Sequence, residues 1–183
     1  MIKTNKQWEI PRSISFPILS LILFAYFFAA SASAPLFATL QHLWHFSAAS
    51  LTLAFGIYAL SLLLALIFLG SLSDYVGRKP VIFVGLFIQT LGMILFLFAE
   101  DIQGLIIARI IQGLATGIAT GALAAAVVEF APEGKKKLGS MISSISPLAG
   151  LAMGALVSGV AIRLVQLHHV SILSDDVVEL LRQ

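Results

Sequence analysis

Arg109 is the residue of this sequence that most demands a chemical role. It stands in the run 102–128, which holds no other charge, and is followed by Gln112 and Gly113. An arginine inside a membrane-crossing helix costs about 2.5–3.5 kcal/mol on insertion scales, so it normally faces a cavity or a partner. The alternative is an arginine that snorkels to the nearer interface. A second group lies in "GSLSDYVGRKP" at residues 70–80, where Asp74, Arg78 and Lys79 fall between two very apolar segments. Its chemistry would be ion pairing at a turn. Gly70 and Gly77 permit backbone conformations costly for other residues, and Pro80 suits the first turn of a helix. Asp74 can cap that helix or pair with Arg78. Glu129, just ahead of "APEGKKK", can reach Arg78 or a lysine of 135–137, or can stand solvated.

Other chemistry is poorly supplied. The chain has no cysteine, which removes disulfides, thiolate metal sites and cysteine nucleophiles. His42 and His45 lie in "QHLWHFSAAS" without a carboxylate or thiol nearby in sequence and read as wetted loop residues. No nucleophile–base pair, metal-ligand cluster or phosphate-binding loop is present, so neither an enzyme nor a metal site is expected. A net charge of +2 does not suggest nucleic acid as a partner.

The elements that must position these residues are membrane spans. Of 183 residues 59% are hydrophobic and 11% charged, with a mean hydropathy of +1.01; soluble domains carry roughly 25% charged residues. Residues 13–73 contain no Asp, Glu, Lys or Arg. Since one span takes about 20 residues, this run holds two, divided near Trp44, a residue type that favours the headgroup level. Residues 81–99 and 138–162 are also uncharged. The expectation is an all-α polytopic helix bundle of five transmembrane helices, at about 14–40, 47–72, 81–99, 102–129 and 138–163. Lys3, Lys6 and Arg12 ahead of an apolar stretch resemble a secretory leader, but that stretch exceeds the usual 7–15 residues. It is read as a retained helix.

Orientation follows from the loops. Lys3, Lys6, Arg12, Arg78, Lys79, Lys135, Lys136 and Lys137 all fall on one face of the zigzag. The loops at 41–46 and 100–101 carry no lysine or arginine. The positive-inside rule puts the basic face and the N-terminus in the cytoplasm. Glu100 and Asp101 precede the fourth helix, where negative charge suits the helix dipole.

The loop from Gly70 through Asp74, Gly77, Arg78 and Lys79 resembles the signature G-x-x-x-D-[RK]-x-G-R-[RK] between helices 2 and 3 of the major facilitator superfamily. Tyr75 stands where a basic residue is usual. Arg109, Gln112 and Gly113 are similar to the R-x-x-Q-G signature of helix 4. The resemblance implies a role for that arginine in proton coupling or substrate interaction. "SPLAG" at 146–150 partly resembles a helix 5 signature of drug–proton antiporters: Pro147 and Gly150 agree, while Ser146 and Leu151 replace glycines. A mid-helix proline kinks a helix and frees a carbonyl. Pro35 is similar to an efflux-type proline motif without its second proline, at Ala38. Gly113, Gly117 and Gly121, and likewise Gly150 and Gly154, recur every four residues and read as close helix-packing faces. The phenylalanines read as lipid-facing or core residues.

The resemblance implies a secondary active transporter, with no cofactor, driven by a proton gradient and exporting small lipophilic molecules across the inner (plasma) membrane. Its partners would be the bilayer and an unidentified small-molecule substrate. Such transporters are built from two six-helix halves that rock about a central site. The expectation here is a partial N-terminal domain over 1–163 and a tail, 164–183, whose Asp175, Asp176 and Glu179 disfavour a sixth span. That tail reads either as a short amphipathic helix or as sequence foreign to the family in a truncated chain. A second half would be required for transport. The alternatives are uptake of sugars or organic acids, and a small regulatory or oligomeric membrane protein that does not transport.

Overall fold

The computed structural model describes residues 12–180, with side chains described for 14–165. Lys3 and Lys6 fall outside it, as do the side chains of Arg12, Asp175, Asp176 and Glu179. The described residues form seven helices: α1 (Arg12–Ala32), α2 (Ala34–Trp44), α3 (Ala48–Leu69), α4 (Leu72–Val76), α5 (Arg78–Leu97), α6 (Ile102–Glu129) and α7 (Lys136–Leu180). Five stretches are long and apolar enough to cross a bilayer: α1 with α2 (Ile14–Trp44), α3, α5, α6, and α7 as far as Val165. This is the expected all-α membrane bundle.

Local chemistry sets the boundaries. Ser47 caps α3 by accepting from the Ser50 amide at 3.1 Å, and Asp101 caps α6 by accepting from Gly104 at 2.7 Å. The first span is interrupted at Ser33. Pro35, in the first turn of α2, has no N–H to continue the ladder of α1. At the end of α2, His45 turns the chain with φ 52°. Gly77, at φ 96°, separates α4 from α5 in a conformation that strains any residue with a Cβ. The α7 backbone runs helically through Pro147 and on to Leu180.

α6 is the central helix, with fourteen of its residues buried. Its small residues let neighbours close in. A Cβ on Gly117 would lie 2.5 Å from the Ala65 Cβ and 2.6 Å from the Leu62 carbonyl of α3. Against α5 the contact pairs run in opposite directions, Gly85 with Ala119 and Gly92 with Gln112. On the far side Gly150 brings α7 onto α1, where an added Cβ would lie 2.5 Å from the Phe24 carbonyl. Gly121 differs from its predecessors in the series: its nearest neighbour is the Gly70 carbonyl, at an ordinary 3.5 Å. Large apolar side chains such as Leu21, Ile67, Phe83, Phe87 and Leu148 point outward, the arrangement a hydrocarbon solvent requires.

Candidate functional site

Arg109 sits seven residues into α6, about 10 Å from its start at 1.5 Å per residue. Its side chain does not snorkel; the residue is 2% exposed. The guanidinium carbon lies 4.5 Å from the centroid of Phe37, 5.6 Å from Tyr58, and 5.7 Å from both Phe55 and Phe96. Phe37 comes from α2, Phe55 and Tyr58 from α3, and Phe96 from α5. Nη1 donates to the Ala30 carbonyl at 3.4 Å and to Gln112 Oε1 at 3.2 Å. Nε and Nη2 have no hydrogen-bond partner among the described residues.

Gln112, fully buried, ties this charge to its surroundings. One turn on, Thr116 donates to the Gln112 carbonyl at 2.8 Å, and Tyr58 Oη lies 3.3 Å from the Thr116 hydroxyl. The Gln112 amide nitrogen donates to Met93 Sδ at 3.2 Å, a weak acceptor. Farther along the α5–α6 seam, Tyr26 donates to the Gly85 carbonyl at 3.4 Å. Gln89 is 4% exposed, and neither of its side-chain polar atoms has a partner among the described residues. The arrangement is a polar string within an apolar bundle, with a delocalised cation at one end able to attract an anionic group. Gly113, the third residue of that signature, lies against the Tyr58 carbonyl at 2.5 Å from an added Cβ and serves close packing.

The loop residues gather at the opposite end of α6. Arg78, at the start of α5, donates through Nη1 to Glu129 Oε2 at the end of α6. Of the partners open to Glu129 in sequence, the structure selects Arg78. Asp74 is exposed within α4 and does not cap α5, whose N-terminus has no side-chain cap. Lys79 and the three lysines at 135–137 are exposed. Gly70 closes α3, its amide donating to the Leu66 carbonyl at 3.1 Å. Pro147 and Gly150 lie far along the chain on α7, and Gly150 faces α1 rather than the loop or the Arg109 surroundings. A groove of about 490 Å³ between α2 and α7, lined by Pro35, Thr39, His42 and Arg163 among others, does not touch Arg109.

Sequence reasoning missed the aromatic surroundings of Arg109 and the buried Gln89. Phe55 and Tyr58 do share one helix face by their spacing, but Phe37 and Phe96 carry no signal that separates them from lipid-facing phenylalanines.

The sequence matches the family model of the Major Facilitator Superfamily over residues 19–170. The chain belongs to that superfamily. It is 33% identical over 145 residues to a uridine/deoxyuridine transporter of Lactococcus lactis, covering 76% of this chain and 30% of that protein. An uncharacterized transporter of Rickettsia felis is 32% identical over 116 residues, 62% of this chain and 28% of that protein. The multidrug resistance protein MdtL of Vibrio parahaemolyticus is 37% identical over 71 residues, 39% of this chain and 18% of that protein. The matched stretch thus spans less than a third of each relative's length. This major facilitator chain is a multi-pass membrane protein of a transporter family rather than an enzyme family.

Proposed function

We propose that this chain supplies the Arg109-bearing helices of a proton-coupled secondary transporter that exports small lipophilic molecules. The observation that carries the reading is Arg109 itself, a charge 2% exposed within a span and set in an R-x-x-Q-G sequence. Such a charge is kept in a membrane helix where it serves a pathway or a coupling step. The likeness to a multidrug resistance protein supports an exported, lipophilic cargo. The loop pair Arg78–Glu129 supports a conformational role for the 70–79 segment, since it joins the ends of two spans at one face. The basic face lies in the cytoplasm and the protein resides in the plasma membrane. Alternating access needs an opposing helix bundle, such as the part of the relatives' length that this chain does not match.

A chimaera tests the reading. Residues 1–170 of this chain are joined to the remainder of the Vibrio relative, and ethidium accumulation is followed in energised cells. Export lowers accumulation, and both a protonophore and Arg109→Met restore it. The 183-residue chain expressed alone leaves accumulation unchanged. A second reading, nucleoside uptake, is favoured by the Lactococcus relative, whose match covers 76% of this chain. Uptake of labelled uridine without any effect on ethidium would select it over export.

A further inference from the structure

No aspartate or glutamate lies within any of the five spans between its flanking loops, at 14–44, 48–69, 81–97, 102–128 or 138–165. Arg109 is therefore a buried cation with no carboxylate inside the spans around it; Glu129, at the far end of α6, pairs with Arg78. A desolvated charge needs compensation. Around the guanidinium stand four aromatic rings, all with centroids within 5.7 Å. The face of an aromatic ring carries negative potential and attracts a cation at this range, more strongly where water is excluded.

The break in the first span helps to assemble this surrounding. Pro35 cannot donate to α1, and the chain turns at Ser33. The carbonyl of Ala30, in the last turn of α1, accepts from Arg109 Nη1 and from Ser33 Oγ, both at 3.4 Å. Phe37, in the first turn of α2, is 1% exposed and provides the nearest ring at 4.5 Å. A single discontinuity thus brings a carbonyl and an aromatic face to the same guanidinium. The other rings close the box from α3 and α5, and Phe55, at 42% exposed, forms its outer wall.

We propose that this aromatic box takes the place of a counter-ion for Arg109, with Phe37 as its principal positioning residue and the break at Ser33–Pro35 as the feature that seats it. The box stabilises the charge without neutralising it. Among the described residues Nε and Nη2 have no hydrogen-bond partner, so two donors of the held cation remain for an anionic group. This would suit the transport reading, but the compensation itself does not depend on it.

Fluorinated phenylalanines at position 37 test the proposal. Ring fluorines weaken the negative face stepwise while changing the shape little. The melting temperature of the full chain in detergent micelles is measured for phenylalanine and its mono-, di- and trifluoro forms, with Arg109 intact and with Arg109→Met. Stepwise loss of melting temperature with Arg109, and a flat series with methionine, is the expected result. Equal slopes in the two backgrounds, or no slope with Arg109, overturn the proposal, because the ring then acts by packing alone. Phe37→Leu in both backgrounds gives a second readout as a double-mutant cycle. It should lower the melting temperature more when Arg109 is present, and an equal loss in both would also overturn the idea. No transport enters these measurements, so their failure and that of the export reading are separate events.

Discussion

Arg78 and Glu129, 51 residues apart in sequence, form an ion pair that joins the first residue of α5 to the last residue of α6. The pair ties together the loop-side ends of two antiparallel helices. Its side chains are 35% and 58% exposed, so solvent screens it strongly. Exposed pairs of this kind contribute about 0.2–1 kcal/mol. Glu129→Gln should therefore lower the melting temperature of the chain in micelles only slightly at low salt. The difference should shrink near 1 M salt, where the Debye length is about 3 Å. The reversed pair, Arg78→Glu with Glu129→Arg, should recover most of the loss. A large loss that ignores salt would mean that packing at Glu129, not its charge, joins the helices.

The α3–α6 interface gives a sharper contrast. Gly117 admits the backbone of α3, and an added Cβ would sit 2.5 Å from Ala65 Cβ and 2.6 Å from the Leu62 carbonyl. Both neighbours belong to a helix and cannot step aside. Gly117→Val should push α3 away and cost about 1–3 kcal/mol, the usual range for overpacking. Gly121, one turn farther, has only the Gly70 carbonyl at 3.5 Å. Gly121→Ala should be neutral or stabilising by about 0.4–1 kcal/mol through the entropy of the unfolded chain. Thermal unfolding of the two variants separates the positions, and equal destabilisation would mean that α6 does not approach α3 as described.

That contrast shows where sequence reading runs out. A glycine every four residues marks a surface on which helices can approach, but not where along it the neighbour crosses. α6 was legible almost to the residue because charged residues bound its apolar run, Glu100 and Asp101 before it and Glu129 at its end. That Asp101 caps it and Glu129 meets Arg78 came only with the structure. The end of α7 was not, since a fall in hydropathy after Ile162 ends an apolar span without ending a helix. Residues 164–180 contain neither glycine nor proline, and the backbone stays helical to Leu180. Arg109 stood out by charge alone. The rings around it did not, because three-dimensional convergence from α2, α3 and α5 leaves no periodic trace in one sequence.

Among the described residues neither amide atom of Gln89 has a partner in the α5–α6 seam, where it lies between the levels of Gly85 against Ala119 and Gly92 against Gln112. A buried polar group without a partner costs about 1–3 kcal/mol, and an apolar group of the same shape removes that cost. Gln89→Met keeps the length of the side chain and should raise the melting temperature. The neighbouring Gln112→Met provides the control. It removes an acceptor of the Arg109 guanidinium, and hydrogen bonds to charged groups contribute about 1.5–3 kcal/mol, so it should lower the melting temperature. If Gln89→Met is instead destabilising, the amide has partners in the membrane-embedded protein, and the seam is a polar element rather than a burden on the fold.

Orientation can be tested with unusual economy because the chain contains no cysteine. Single cysteines at Glu100 and Lys136 place one thiol in the loop before α6 and one at the start of α7. Both positions are exposed, so each thiol can react. Lysines and arginines within short loops stay on the cytoplasmic side, and Arg78, Lys79 and Lys135 to Lys137 all lie on the face opposite Glu100. In intact cells a membrane-impermeant maleimide should label Glu100→Cys and leave Lys136→Cys untouched. After permeabilisation both should react. Labelling of Lys136→Cys alone in intact cells would invert the bundle and place the Arg78–Glu129 pair on the outer face. Labelling of both in intact cells would mean that the chain inserts in two orientations, with its basic loops too weak to choose between them.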